Sequence, residues 1–206
     1  VFADIARQEI QFGYLKRPTA RNTEQDKAKF EVCNHKYTDL SETRYGVSIL
    51  NDCKYGISVK DSRMHLSLHK GGVRPDWTGD HGKHRCTYVF HPHRGGFGAE
   101  QVIKPAYELN YPVLTADTAA AKPSFVRVDA DNVVIETVKP CEDAQRAYIL
   151  RMYEAEGCHC RAALIFRDSN VKLYATDMLE ENAVPCDTTL SFRPLEIKTI
   201  KVVYGE

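Results

Sequence analysis

Net charge is the first thing this sequence lacks: 28 Lys and Arg balance 28 Asp and Glu, so no excess field draws the chain to nucleic acid or to an anionic membrane. It also has no run of about 20 apolar residues, the length needed to cross a bilayer. The opening VFADIARQEI lacks the basic-then-apolar order of a secretory signal. There is no Asn-x-Ser/Thr acceptor, and the seven cysteines are odd in number and irregularly spaced. That usage fits a reducing compartment better than a disulfide framework and predicts a cytoplasmic protein. A chain that begins at Val1 reads as processed or as a piece of something longer.

Several chemistries are missing as well. No Gly-x-Ser-x-Gly elbow occurs, and neither Gly71-Gly72 nor the Gly95–Gly98 cluster is followed by Lys-Ser/Thr or opens a clear helix. Nucleophilic hydrolysis and phosphate cradling therefore have no motif to rest on. Helical periodicity is scarce. Only residues 98–109 (GAEQVIKPAYEL) look helical, and Pro105 limits them to a turn or two.

What the sequence does have is alternation of period 2, the mark of a strand with one buried face. Ile10, Phe12 and Tyr14 alternate with Gln11 and Gly13; Phe30 and Val32 with Glu31; Tyr45, Val47 and Ile49 with Gly46 and Ser48; Met64, Leu66 and Leu68 with Arg63, His65 and Ser67. Further strands are predicted at 84–90, 124–128, 132–138, 147–154, 161–167, 171–176, 188–192 and 195–204. So many short strands with so little helix predict an all-β, antiparallel sandwich architecture. The stretch 115–124 (TADTAAAKPS) has few bulky apolar residues and is the expected boundary between a large lobe, 1–114, and a smaller sandwich, 122–206.

Six of the eight histidines fall at 65, 69, 81, 84, 91 and 93. Imidazole is a common metal ligand, and two hairpins carrying His65/His69 and His91/His93 could converge on one ion in a metal-dependent β-barrel enzyme. The plainer reading is a solvated sheet face. Cys158-His159-Cys160 lacks a second pair at zinc spacing and is expected to be buried, inert cysteine. Asp76 and Asp80, in PDWTGDHG beside the single tryptophan Trp77, could pair as a glycosidase acid and base, or Trp77 could stack on a sugar in a stand-alone carbohydrate-binding module.

A longer pattern connects these fragments. KRPTARNTEQDKAKFEVCNHKYTDLSE (16–42), YGVSILNDCKYGISV (45–59) and LHKGGVRPDWTGDHGKHRCTYVFHPH (68–93) come first. AYELNYPVL (106–114), VVIETVKPCED (133–143), AYILRMYEAEG (147–157) and LSFRPLEIKTIKV (190–202) follow in order. Together they resemble the C-terminal region of glycoside hydrolase family 38, the cytosolic-type α-mannosidases. The resemblance implies a galactose-mutarotase-like supersandwich followed by a smaller β-sandwich. It also implies a zinc-dependent, retaining exo-α-mannosidase acting on mannose-containing oligosaccharides. The zinc and the nucleophile would belong to an N-terminal catalytic domain of the same polypeptide, so this chain is expected to hold no catalytic residue and no metal. Carried onto this sequence, the pattern points to Lys70, Asp76, Asp80 and His84 as substrate-facing residues, with His93 in a matching Pro-His. Lys70 stands where many relatives carry arginine, which keeps the charge and loses the bidentate fork.

Overall fold

The computed structural model describes all residues except 116, 118–123 and 206, so most of the predicted boundary at 115–124 lies outside the described residues. The chain divides into two compact units, Val1–Leu114 and Thr115–Glu206. Both are built of antiparallel sheets, as the alternation predicts.

In the first unit, β1 (Ile5–Ile10), β2 (Gly13–Pro18), β4 (Tyr37–Ser41), β5 (Tyr45–Asn51) and β8 (Tyr88–Arg94) form one sheet in the order β2-β1-β4-β5-β8. A three-stranded sheet joins β3 (Val32–Cys33), β6 (Gly56–Lys60) and β7 (Arg63–Ser67). The run 10–14, expected as one strand, is instead the β1–β2 turn. Ile10 pairs with Gly13, and Phe12 takes a left-handed φ of 56° that reverses the chain. Likewise Phe30 lies outside any strand, because β3 starts only at Val32.

One face of the large sheet shares clefts with the small one. Ala6 and Gln8 line one cleft with Val32 and Val59, while Leu40, Val47, Ile49 and Phe90 line another with Ser62 and Met64. The other face is covered by Phe97 and by a π-helical turn, Ala99–Ile103, that runs into α2 (Lys104–Asn110). Phe97 packs 4.8 Å from the ring of Tyr14 and 5.8 Å from that of Tyr37. Ala99, Val102, Ile103 and Ala106 point inward, and Pro105 sits in the first helical turn, where no N–H is needed. A short α1 (Glu24–Ala28), not evident from periodicity, is started by a capping box between Thr23 and Asp26.

The second unit is a two-sheet sandwich. β10 (Val133–Pro140), β11 (Ala147–Glu154), β16 (Ile197–Tyr204), β13 (Val171–Thr176) and β14 (Val184–Cys186) form one sheet in the order β10-β11-β16-β13-β14. The other is β15 (Thr189–Phe192), β12 (Cys160–Phe166) and β9 (Val126–Val128). Leu150, Met152, Leu173, Ile200 and Val202 from the first sheet and Val126, Ala162, Leu164, Leu190 and Phe192 from the second make one core. Each large side chain buried there contributes roughly 1.5–3 kcal/mol relative to exposure.

The end of β11 is anchored by Glu154, fully buried, whose carboxylate accepts from the backbone N–H groups of Glu156, Gly157, Cys158 and Leu195 and from Asn132 Nδ2. Burial pushes this carboxyl up, but the donors of Leu195, Glu156, Asn132 and Cys158 outweigh it and hold it below the usual range. Cys158, expected to be buried, is exposed as a residue, with its thiol donating to Glu154 Oε1 at 3.5 Å, and Cys160 is half-buried.

Candidate functional site

Between β7 and β8 the chain runs through residues 68–87 with no helix or strand. Gly71, Gly72, Pro75, Gly79 and Gly82 punctuate it, and the Arg74–Pro75 peptide is cis. Local hydrogen bonds give the loop its form. Asp76 Oδ1 accepts from Thr78 N at 2.9 Å and from Thr78 Oγ1 at 2.7 Å, and those bonds hold the Asp76 carboxyl below its ordinary range. His84 Nε2 donates to the Asp80 carbonyl at 2.7 Å, and its ring centroid lies 4.9 Å from that of His69. Lys70 Nζ reaches Glu31 Oε2 at 3.4 Å, while Glu31 also accepts from Ser67 Oγ. The Arg74 guanidinium lies 5.5 Å from the centre of the Trp77 ring, whose residue is 70% exposed.

Lys70, Asp76, Asp80 and His84 are thus all exposed and all on this one loop. Asp80 and His84 touch each other; Lys70 and Asp76 bond to other partners. An ionised, hydrogen-bonded Asp76 is a poor proton donor near neutral pH and does not suit the acid's part in the conceivable Asp76/Asp80 pair. What the loop does offer is an open indole face, a cation and polar groups. That set suits stacking on a sugar ring and hydrogen bonding to its hydroxyls.

A second cluster lies inside the large sheet, and most of it was not singled out from sequence. Asp39 on β4 accepts from Ser41 Oγ at 2.6 Å, Ser48 Oγ at 2.8 Å and His93 Nε2 at 3.0 Å. Its side chain is fully buried and that of His93 nearly so. Gly46 makes this possible, since a methyl there would collide with the His93 ring and the Ser41 hydroxyl. His91 and His93 do share one face of β8, their rings stacked 5.8 Å apart, but His91 Nε2 is bonded to the Gln101 carbonyl at 2.8 Å. His65 sits exposed on β7 and His69 beside His84. Among the described residues, no group of three or more His, Cys, Asp or Glu is placed to hold a metal ion. Next to the cluster, Glu9 on β1 is buried against Lys36, Nζ to Oε1 2.7 Å.

Two comparisons with protein families match the chain. The glycosyl hydrolases family 38 C-terminal domain matches residues 2–78, and the family's C-terminal beta sandwich domain matches residues 132–200. Human alpha-mannosidase 2C1 is 46% identical over 160 residues, which is 75% of this chain and 15% of that protein. Alpha-mannosidase G of Dictyostelium discoideum is 35% identical over 218 residues, 98% of this chain and 20% of that protein. A solved alpha-mannosidase from Enterococcus faecalis V583 superposes with a TM-score of 0.78 at 15% identity, covering 98% of this chain and 24% of that one, and so shares the fold. The chain therefore spans about a fifth or less of the curated relatives it matches. With both family matches, these relatives and the shared fold in agreement, the chain belongs to the C-terminal β region of glycosyl hydrolase family 38.

Proposed function

We propose that this chain is the non-catalytic C-terminal part of a zinc-dependent, retaining exo-α-mannosidase that hydrolyses α-mannosidic bonds of oligosaccharides in the cytoplasm. Residues 1–114 and 122–206 are its large and small sandwich domains. It packs on an N-terminal catalytic domain of the same polypeptide, and loop 68–87 completes the wall of the sugar pocket. The observation that carries this reading is the concentration of Lys70, Asp76, Asp80 and His84 on one exposed loop with Trp77. The relatives' names supply the substrate class. Zinc does not fit the described residues of this chain, which offer no ligand set, so no step of hydrolysis is assigned to it here.

The test is made in the full polypeptide. Trp77→Ala and Lys70→Ala should each lower kcat/KM on a mannose-terminated oligosaccharide by about tenfold, mainly through KM, as loss of one binding contact does. Unchanged kinetics for both would remove the loop from the pocket. The exposed indole also favours a second reading, a carbohydrate-binding module that works without a catalytic neighbour. That reading requires the 206-residue chain by itself to bind mannose at millimolar concentration and to lose binding on Trp77→Ala.

A further inference from the structure

β5 and β8 pair from Tyr45↔Arg94 to Asn51↔Tyr88, where the ladder ends, but the two chains stay hydrogen-bonded for one residue more. Asp52 N donates to the Thr87 carbonyl at 3.1 Å, and Thr87 N donates back to Asp52 Oδ1 at 3.0 Å. Counted one step further in that register, across the bend at 52–53, Cys53 matches Cys86. Directly opposed residues of an antiparallel pair hold their Cβ atoms about 4.5–5.5 Å apart on the same side, close to the roughly 3.5–4.5 Å of a disulfide. The Cys53 sulfur already leans across: it donates to the carbonyl of Arg85, the residue before Cys86, at 3.7 Å. Both thiols are free, with Cys53 exposed and Cys86 half-buried.

We propose that Cys53 and Cys86 are a reversible disulfide site, oxidised by a low-molecular-weight disulfide such as glutathione disulfide. One protein thiolate attacks the small disulfide, forming a mixed disulfide and releasing one glutathione thiolate. The second protein thiolate then attacks the protein sulfur of that mixed disulfide and expels the other glutathione. Two protein thiols give up two protons and two electrons, and one glutathione disulfide becomes two glutathiones. Interaction with the adjacent Asp52 carboxylate holds the Cys53 thiol above its ordinary range, so exchange is slow near neutral pH and quickens as pH rises. The bond would close the base of the excursion 54–85, which carries β6, β7 and most of the exposed loop. The inference stands on this extended register together with the reach of the Cys53 sulfur to Arg85, and does not depend on the mannosidase reading.

The experiment treats the folded chain with glutathione disulfide at pH 8, blocks remaining thiols, and digests it with trypsin without reduction. Mass spectrometry should find peptides 45–54 and 86–94 joined, two hydrogens lighter than their sum, and separated by dithiothreitol. Cys53→Ser should abolish the joined species and leave Cys86 blocked or carrying glutathione. Recovery of Cys53 and Cys86 as separate adducts from a chain that keeps its β circular dichroism would overturn the proposal. So would a link from either one to Cys33.

Discussion

His93 and Asp39, fifty-four residues apart in sequence, meet at 3.0 Å inside the first unit, and Gly46 on the intervening strand β5 makes room for the ring. The buried carboxylate keeps three donors from three strands on one hub, which ties β4, β5 and β8 together beyond their ladder bonds.

Gly46→Ala should therefore destabilise the first unit through overpacking, by about 1–3 kcal/mol. Urea unfolding at pH 7 should show a lower midpoint with an unchanged slope. A second change, His93→Ala, removes the ring the methyl meets and leaves only the Ser41 hydroxyl, the free end of a small side chain, in its way. In that background Gly46→Ala should cost less, the non-additivity expected of residues in contact.

Glu154→Gln tests the carboxylate knot of the second unit. The folded carboxyl lies below its ordinary value, so its stabilisation is complete above the usual carboxylate range and fades as pH falls through that lower folded value. The variant should lose about 3 kcal/mol at pH 7, since its carboxylate accepts several backbone N–H groups. Wild type and variant should converge in acid. A constant difference from pH 7 down to pH 2 would contradict the assignment.

Glu9 has the opposite sign. Burial raises its carboxyl more than Lys36 lowers it, so the folded state keeps a proton that the unfolded chain has released, and stability falls as pH rises from the unfolded value to the folded one. Lys36→Met removes the partner from a nearly buried carboxylate and should cost about 3–5 kcal/mol at neutral pH. The same variant should push the Glu9 carboxyl still higher, which NMR titration of the side-chain carbon would follow.

Much of the β architecture was legible in the sequence because many of its strands bury one face. β11 is predicted at 147–154 and found at Ala147–Glu154, and 195–204 contains β16, Ile197–Tyr204. The central strand β4 was missed for the complementary reason. Tyr37, Thr38, Asp39 and Leu40 are all buried because both faces of the sheet are covered there, so no alternation survives. Asp39 and Glu9 were invisible as members of a site, since nothing local separates a buried acid on a strand from an exposed one. Gly46 carried a faint signal, a glycine at the Ser-Glu-Thr-Arg-Tyr-Gly entry to a strand, but its purpose depends on a histidine far along the chain. The exposed loop was legible through its Gly, Pro and Asp content; its bonding partners, Glu31 among them, were not.

The loop itself should carry little of the stability. Trp77→Ala and Lys70→Gln, at positions open to water, should each change unfolding free energy by no more than about 0.5 kcal/mol. As the single tryptophan, Trp77 should emit like indole in water and be readily quenched by iodide in the isolated chain.

The most direct measurement of the central claim sets the 206-residue chain beside the full polypeptide on a chromogenic α-mannoside with added zinc. The account predicts turnover by the full polypeptide and none by the folded chain alone, at any zinc concentration. Sustained hydrolysis by these 206 residues would contradict it.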